Sequence, residues 1–308
     1  MITRDTKAFL QLARTLGPIA PACPKAVFLV APEGFALAAE SASDNFYMDM
    51  ARAVDGERAL RQHRELQRAL AETLPAICFA GDSATPDAVF PNNVFATAGA
   101  SQAAKGRVLL ARMRHSVRQR EAERADIRGF FTDALGYEMH DLRKQDGVSE
   151  LTGSLIIDRA RGLGFCGLSE RCDEAGATAM HAAFGLRTTL LFDLAPGEYH
   201  TNVVLSVLAG RAVSICPDGF ADQAVVDAIA SLYAPHAVLL DRAEKLAFAG
   251  NCIATTSDAV WMSQAAASAL RTTSREGFEK AGFRLHSVPL DEIEKAGGSL
   301  RCCVGEIF

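Results

Sequence analysis

Short runs of apolar residues, set off by turn-forming residues, recur along the chain at intervals of about fifty residues. The runs that open each repeat begin at Asn93, Gly153, Asn202, Asn251 and Cys302. Runs of this length, bounded by glycine, asparagine or proline, are typical of buried β-strands. The spacing therefore predicts five structural repeats.

In four of the repeats the opening run is followed by a turn and a second apolar run, which together predict a β-hairpin. A stretch with the periodicity of a helix comes next, and a further short apolar run ends the repeat. The opening strands are predicted at residues 93–97, 153–157, 202–206 and 251–255, their partners at 106–110, 162–166, 211–215 and 259–262, the helices at 118–135, 173–184, 221–233 and 264–281, and the last strands at 137–142, 188–192, 237–240 and 283–288.

The fifth repeat is divided between the two ends of the chain. The strand after Cys302 is predicted to pair with residues 25–30, and the unit continues with a helix at 48–72 and a strand at 75–79. This division predicts a closed radial α/β array, a five-bladed propeller with few exposed sheet edges, and a single domain over residues 1–308. A doubly wound nucleotide-binding sheet is the alternative architecture, but neither a GxGxxG nor a Walker sequence follows any predicted strand.

Composition and charge narrow the range of functions. Of the 308 residues, 49% are apolar and 22% are charged, as in ordinary globular proteins. The net charge of -5 without a basic stripe argues against a nucleic-acid partner. The charged N-terminus and the lack of a long apolar run argue against export or a membrane partner, and predict a cytoplasmic protein. The eight cysteines include no CxxC pair, so no metal site is predicted.

Three residues suited to covalent catalysis occupy the same position in their repeats, just before or at the start of the opening strand. They are Glu150, His200 and Cys302. In a radial array these positions meet at one end of the central channel. A cysteine thiolate attacks an electrophilic carbon, a histidine transfers protons, and a carboxylate accepts N–H groups of an amide or guanidino head. Each residue alone has a structural interpretation, as a core cysteine, a structural histidine or a loop carboxylate, but the shared position favours catalysis.

Cys302 is predicted to be the nucleophile. Gly297 and Gly298 precede it and permit a tight turn, and the positive charge of the adjacent Arg301 would favour a thiolate. Cys252 lies near the equivalent position of the fourth repeat and is the competing candidate. It ranks second because no cation adjoins it in the sequence.

Five motifs carry a resemblance to a known family. They are DAVFPNN at 87–93, ELTGSL at 150–155, YHTNV at 199–203, FAGN at 248–251, and RC at 301–302 with EIF at 306–308. In this order, and over nearly the whole chain, they resemble the guanidino-group-modifying hydrolases of pentein fold. The branch that they resemble most is the citrulline-utilisation hydrolases, often labelled amidinotransferase or dimethylarginine dimethylaminohydrolase-like. The resemblance implies a five-bladed α/β-propeller, a catalytic set of Glu150, His200 and Cys302, and no cofactor.

The resemblance also implies which residues bind the substrate. Asp87 would contact the amino-acid end of the substrate, and Arg171 would bind its α-carboxylate. A second carboxylate-binding arginine would be either Arg112 or Arg118, and the local similarity leaves both open. Residues 40–45 resemble the family's N-terminal loop, which helps to cover the site.

The chain departs from dimethylargininases and arginine deiminases at the substrate head, where Asn92 and Asn93 stand in place of carboxylates. Neutral amides suit a neutral ureido group, whereas burying a guanidinium requires a compensating negative charge. The sequence therefore predicts hydrolysis of a C–N bond in a ureido- or guanidino-bearing amino acid, with citrulline, which would give ornithine, preferred. Arginine deiminase, dimethylargininase and amidinotransferase are the alternatives, and the intact Glu/His/Cys set disfavours a non-catalytic binding protein. The expected partner is a small amino acid, and the choice between monomer and homodimer stays open.

Overall fold

The computed structural model describes residues 1–99 and 105–308, and within these ranges short strands alternate with helices. The strands are β1 (Ile2–Thr3), β2 (Ala26–Val30), β3 (Ala76–Phe79), β4 (Phe95–Ala98), β5 (Arg107–Leu110), β6 (Glu138–Asp141), β7 (Leu155–Asp158), β8 (Leu163–Leu168), β9 (Thr188–Asp193), β10 (Leu205–Leu208), β11 (Ala212–Ile215), β12 (Ala237–Leu239), β13 (Ile253–Ala254), β14 (Ala259–Ser263), β15 (Arg284–Val288) and β16 (Gly305–Ile307). The helices are α1 (Thr6–Ala13), α2 (Ala39–Ala42), α3 (Gly56–Ala71), α4 (Ser116–Gln119), α5 (Ala125–Gly129), α6 (Leu151–Ser154), α7 (Glu174–Phe184), α8 (Thr201–Val204), α9 (Gln223–Leu232), α10 (Arg242–Leu246), α11 (Gln264–Ala269), α12 (Thr272–Lys280) and α13 (Leu300–Cys303).

The strands of the described ranges form five sheets with one repeated topology. The orders are β4-β5-β6, β7-β8-β9, β10-β11-β12, β13-β14-β15 and β16-β2-β3. In each sheet the first strand runs antiparallel to the middle strand, which runs parallel to the third. The four predicted hairpins and the mixed α/β class are therefore confirmed. The predicted turn of the first hairpin includes residues 100–104, which lie outside the described ranges.

The repeat divided between the chain ends is also confirmed. Gly305 of β16 lies opposite Phe28 of β2, and β2 pairs in parallel with β3. The sequence analysis missed β1, which adds to the outer edge of β9. Within the described ranges no ladder joins one sheet to the next, so the sheets do not form a single continuous barrel.

Three of the predicted helices have the wrong extent. Residues 118–135 form α4, a 3-10 turn, α5 and a π turn, because the backbone of Arg124 is extended, with a ψ of 101°. The helix predicted at 264–281 is interrupted between α11 and α12. The helix predicted at 48–72 begins only after Asp55, whose side chain accepts a hydrogen bond in the first turn of α3. Helical periodicity alone did not locate these breaks.

A single helical turn precedes the opening strand in four of the sheets, where the sequence analysis predicted the strand itself. The turns are the 3-10 turn Pro91–Asn93 and the helices α6, α8 and α13. The turn Pro91–Asn93 packs against both α6 and α13, and α6 packs against α8. The sequence pattern could not reveal these turns, because three or four residues are too few to show a helical period. The packing brings together residues that are far apart in the sequence.

Buried aromatic side chains link neighbouring parts of the core. The ring of Phe9 in α1 lies 5.5 Å from that of Phe165 in β8, and Phe28 in β2 lies 5.2 Å from Phe131, both in edge-on contact. Such contacts stabilise the fold beyond the burial of area alone. In the part of the chain that the structure describes, no helix is long and apolar enough to cross a membrane.

Candidate active site

Two of the candidate catalytic residues lie directly before a helical turn. Glu150 directly precedes α6, and the next residue, Leu151, has a φ of 32°. A bulky residue is strained at positive φ, and such strain is often found at functional sites. His200 precedes α8, and its ring packs on Gly153, where an added Cβ would lie 2.7 Å from the imidazole. Only glycine therefore fits beside His200.

Glu150 is the centre of a buried polar cluster. Its carboxylate accepts hydrogen bonds from His200 Nε2 at 2.8 Å, from Arg171 Nη1 at 3.3 Å and from the backbone N–H of Arg114 at 3.2 Å. Burial alone would raise the pKa of Glu150, but Arg171 and His200 lower it more, so the pKa lies well below its usual range. Glu150 is therefore a carboxylate at neutral pH.

The protonation state of His200 follows from its hydrogen bond to Glu150. A carboxylate can only accept, so Nε2 carries the proton that it donates to Glu150. Nδ1 is buried and has no hydrogen-bond partner among the described residues. Burial lowers the pKa of His200 below its usual value, although Glu150 opposes the shift. The imidazole is therefore neutral at pH 7, with a free lone pair on Nδ1 that can accept a proton.

Cys302 lies in α13 and is 2% exposed. Its Sγ accepts hydrogen bonds from the side-chain amides of Asn251 at 3.3 Å and Asn202 at 3.6 Å. Burial raises the pKa of Cys302, and the hydrogen bonds offset this only in part. Arg301 also lowers the pKa of Cys302, as the sequence predicted, although its guanidinium pairs with Glu306 at 2.8 Å. The resting residue is therefore a thiol that two amides orient.

A partly open pocket, about 310 Å³ in volume when its opening to solvent is included, is lined by Cys302. Its walls come from the helical turns, from two buried arginines and from the segment after α2. The lining residues are Ser41, Asn45, Met48, Asp87, Phe90, Asn93, Arg118, Arg171, Tyr199, Ala296, Gly298 and Cys302.

The residues predicted to bind the substrate, Asp87 at its amino-acid end and Asn92 and Asn93 at its head group, have unused hydrogen-bonding capacity. Asp87 is 2% exposed, and one of its oxygens accepts from Ser41 while the other has no partner among the described residues. The side-chain amide of Asn92 is buried and likewise unpaired, whereas Asn93 accepts from Arg118 at 3.0 Å. Because unpaired buried polar groups are costly, the free oxygen of Asp87, which lines the pocket, favours a polar ligand there. Asn92 is not among the lining residues.

The structure shows which of the candidate arginines line the pocket. Arg118 and Arg171 line the pocket and are 3% and 2% exposed. Arg112 lies outside it, and its guanidinium donates to the backbone carbonyl of Gln145. Arg118, rather than Arg112, is thus placed to meet a substrate.

Sequence reasoning missed four residues of this site. Asn202 and Asn251, which contact Cys302, stand at equivalent positions of their repeats, and that regularity could have identified them. Asp44 and Glu121 pair with the two pocket arginines. Asp44 lies in the segment 40–45 that was expected to cover the site, but nothing in the sequence marked either residue as the partner of an arginine. Across the described ranges, no group of three or more His, Cys, Asp or Glu side chains is arranged to hold a metal ion.

Comparison with protein families and curated sequences gives consistent matches. The family described as N,N dimethylarginine dimethylhydrolase, eukaryotic, matches residues 31–308. The N(G),N(G)-dimethylarginine dimethylaminohydrolase of Mycobacterium tuberculosis is 27% identical over 263 residues, which are 85% of this chain and 80% of that protein. The bifunctional arginine dihydrolase/ornithine cyclodeaminase ArgZ of Synechocystis is 24% identical over 80% of this chain, which spans 33% of that protein.

Solved structures show the same fold. The N-terminal domain of ArgZ, an arginine dihydrolase from cyanobacteria, has been solved as a cysteine-to-serine variant bound to substrate. It superposes with a TM-score of 0.77 at 20% identity, over 92% of this chain and 97% of that one. The dimethylarginine dimethylaminohydrolase of Pseudomonas aeruginosa, a cysteine-to-serine variant complexed with citrulline, gives 0.68 at 18% identity, over 92% and 100%.

Proposed function

Because the chain belongs to the N,N dimethylarginine dimethylhydrolase family, we propose that it is a cysteine-dependent hydrolase of the guanidino group of arginine or an N-methylated arginine. The proposal depends on one observation: the hydrogen-bonded pair of Glu150 and His200 is connected to the pocket over Cys302. Arg171 contacts Glu150 and lines that pocket together with Cys302. This arrangement supplies a nucleophile, a base and a carboxylate in one buried site.

The proposed reaction has two halves. The Cys302 thiol gives its proton to Nδ1 of the neutral His200 as Sγ forms a bond to the guanidino carbon. The C–N bond to the departing amine breaks as Nδ1 returns that proton to the leaving nitrogen. Water then adds to the carbon while Nδ1 accepts its proton, the C–S bond breaks, and the proton passes back to Sγ to restore the Cys302 thiol. Glu150 holds the imidazole in the orientation that both transfers require.

The charge of the pocket supports a cationic head group. Asp87 lines the pocket as a buried side chain, and no cation pairs with it among the described residues, whereas Glu150 is already paired with Arg171. A guanidinium would supply the missing positive charge, since a buried carboxylate without a partner is costly. A cation near Cys302 would also favour its thiolate, whose formation burial opposes.

Citrulline is the second candidate substrate, and the neutral Asn92 and Asn93 favour it. The unpaired amide of Asn92 offers both donors and an acceptor, which suits a ureido group. Citrulline hydrolysis would give ornithine, ammonia and carbon dioxide. The similarity to an arginine dihydrolase is compatible with both candidates, because hydrolysis of two C–N bonds in sequence would pass from a guanidino to a ureido compound.

Product analysis of the purified protein decides between these possibilities. We expect turnover of arginine, dimethylarginine or citrulline, with agmatine a poor substrate. Formation of ornithine from supplied citrulline would establish the ureido activity, and release of citrulline alone from arginine would exclude it. Transfer of the amidino group to added glycine would identify an amidinotransferase instead. No reaction with any of these compounds would refute the proposed function.

We also propose that the five sheets are the blades of one closed propeller, and that residues 1–308 form a single domain. Contacts between the first strands of neighbouring sheets, β16 with β4, β7 with β10 and β10 with β13, support this arrangement. The pairing of β16 with β2 supports closure through the chain ends. Limited proteolysis should then cut surface loops without releasing an independently folded fragment.

A further inference from the structure

A second pocket, which we call the inter-sheet pocket, lies between the first strands of four sheets. Its volume is about 500 Å³ when its opening to solvent is included, and none of its lining residues borders the pocket at Cys302. Strands β7, β10, β13 and β16 each contribute side chains to its wall. The two pockets come closest in sequence at α13, where Arg301 lines the inter-sheet pocket and Cys302 lines the other. The proposed reaction uses no residue of the inter-sheet pocket.

Three charged side chains line the inter-sheet pocket, and their charges do not cancel. They are Arg159, Arg301 and Glu306. Arg301 pairs with Glu306 at 2.8 Å, so these two charges offset each other. Arg159 forms no ion pair within the described residues, and the five remaining residues, 100–104, include neither Asp nor Glu. The wall of the pocket therefore carries one unbalanced positive charge.

The guanidinium of Arg159 is held in place but keeps unused donors. Nη1 donates to the backbone carbonyl of Thr97 at 2.8 Å, and Cζ lies 4.3 Å from the ring centroid of Phe308 and 5.1 Å from that of Phe184. Aromatic rings attract a cation, but they do not satisfy its N–H groups as a carboxylate does. Nε and Nη2 make no hydrogen bond within the part of the chain that the structure describes. These donors are available to a ligand.

Arg159 differs in its electrostatic surroundings from the two arginines of the active-site pocket. Burial would lower the pKa of Arg118 and Arg171, but nearby carboxylates raise it above the usual value. Burial lowers the pKa of Arg159 to about 10, because Glu306 opposes the shift only in part and Arg301 adds to it. Arg159 is still a cation at neutral pH. A cation that is withdrawn from water without an anion is costly, and an anionic ligand would remove that cost.

The other polar groups of the wall leave ligand binding to the guanidinium groups. The hydroxyls of Ser206 and Thr152 both donate to backbone carbonyls, so their protons are already used. Arg301 donates from Nη1 and Nη2 within its own segment, which leaves only its Nε without a partner among the described residues. Guanidinium groups bind the oxygens of carboxylates and phosphates through parallel N–H donors. A small oxyanion therefore fits both the charge and the donors of this pocket.

We propose that the inter-sheet pocket is a second ligand site, which binds a small oxyanion, a carboxylate or a phosphate group, at the guanidinium of Arg159. The unbalanced positive charge selects an anion, and the pocket volume limits its size. The bound anion lies beside Arg301, the residue before the candidate nucleophile, and not in the substrate pocket. This inference does not depend on the proposed function, because it concerns different residues.

Thermal unfolding tests the site with inorganic phosphate and, separately, with acetate, in a zwitterionic buffer without other salt. Arg159→Gln removes the unbalanced charge. Lys7→Gln is the matched control, because it removes one positive charge from an exposed position of α1 and gives the same net charge. At an anion concentration of ten times Kd, we expect the Tm of the wild type and of Lys7→Gln to rise about 3 °C more than that of Arg159→Gln. The anion that acts at the lower concentration identifies the ligand as a phosphate or a carboxylate.

Two results would overturn the inference. One is a rise in Tm that is no larger in the wild type than in Arg159→Gln with either anion, because binding would then occur elsewhere. The other comes from a measurement that needs no folded variant. Crystals of the wild type are soaked in selenate, an oxyanion whose selenium scatters anomalously. We expect an anomalous peak beside the Arg159 guanidinium, and peaks confined to the pocket at Cys302 or to exposed arginines would exclude a site at Arg159.

Discussion

Replacing Glu150 with glutamine tests the polar cluster that supports catalysis. All three groups that contact the carboxylate are donors: His200 Nε2, Arg171 Nη1 and the backbone N–H of Arg114. Glutamine keeps the shape but offers one acceptor oxygen, and its amide N–H groups face donors. At least one buried donor is then left unsatisfied, which costs about 1–3 kcal/mol. The substitution does not leave the buried Arg171 guanidinium without an anion, because Arg171 keeps Asp44 as a partner. The larger cost of an isolated buried charge is therefore absent.

We therefore expect Glu150→Gln to lower the free energy of unfolding by about 2 kcal/mol and kcat by about 10² to 10⁴-fold. Urea denaturation and steady-state turnover measure the two effects. Glu170→Gln is the control, because Glu170 also pairs with Arg114, at 2.6 Å, but its side chain is 65% exposed. That variant should lose less than about 1 kcal/mol and keep its kcat. A Glu150→Gln protein with kcat within tenfold of the wild type would refute the reasoning.

The pH dependence of stability gives a second check on Glu150. Because its folded-state pKa lies below the usual 4.5, the carboxylate stabilises the fold above that pH. This contribution is lost as the pH falls through the folded-state pKa. The gap in unfolding free energy between wild type and Glu150→Gln should therefore be widest at neutral pH and should narrow below pH 4.5. A gap that grows on acidification would contradict the assignment of Glu150 as a buried carboxylate.

Three further outcomes are expected. Burial raises the pKa of Cys302 above 9.0, so the free enzyme should be inactivated by iodoacetamide slowly at pH 7 and faster beyond pH 9.0. An inactivation rate that levels off near neutral pH would be inconsistent with a resting thiol. Arg171→Lys should lower kcat/KM for arginine at least about tenfold although the charge is kept, because an ammonium cannot pair through a planar fork; equal losses for arginine and agmatine would argue against a carboxylate contact. Asn93→Asp should shift the ratio of kcat/KM toward arginine and away from citrulline, and a ratio that does not move would show that Asn93 serves only to hold Arg118.

The repeat could be predicted because every copy carries the same order of apolar runs and turns. That regularity identified the hairpins, the pairing of the chain ends and the shared position of Glu150 and His200, each directly before its helical turn; Cys302 differs, because it lies inside α13. Glu150 and His200 do lie in contact, at 2.8 Å, although they are 50 residues apart in the sequence. The helical turns that carry these residues were missed because local pattern cannot distinguish four helical residues from the start of a strand.

The sequence could not show which charged side chains pair with one another. Arg301 adjoins Cys302 and lowers its pKa, but the pairing of its guanidinium with Glu306 was not predicted. Asp44 is distant from Arg171 in the sequence and lies in a loop without regular structure at that point, so only the folded chain shows the pair. Adjacency in sequence says little about which charges meet, because ion pairs form between side chains that tertiary packing brings together.

The most direct test of the account is to identify the residue that carries the covalent intermediate. Wild-type protein mixed with arginine or citrulline is quenched in acid within the first turnover, digested and analysed by mass spectrometry. We expect a mass increase on the peptide that contains Cys302, localised by fragmentation to Cys302 and not to the adjacent Cys303, and no such increase in the Cys302→Ser protein. Cys252 is buried, with a pKa raised to about 11, and should stay unmodified. An adduct on Cys252 in active enzyme, or turnover by Cys302→Ser at the wild-type rate, would contradict the assignment of Cys302 as the nucleophile.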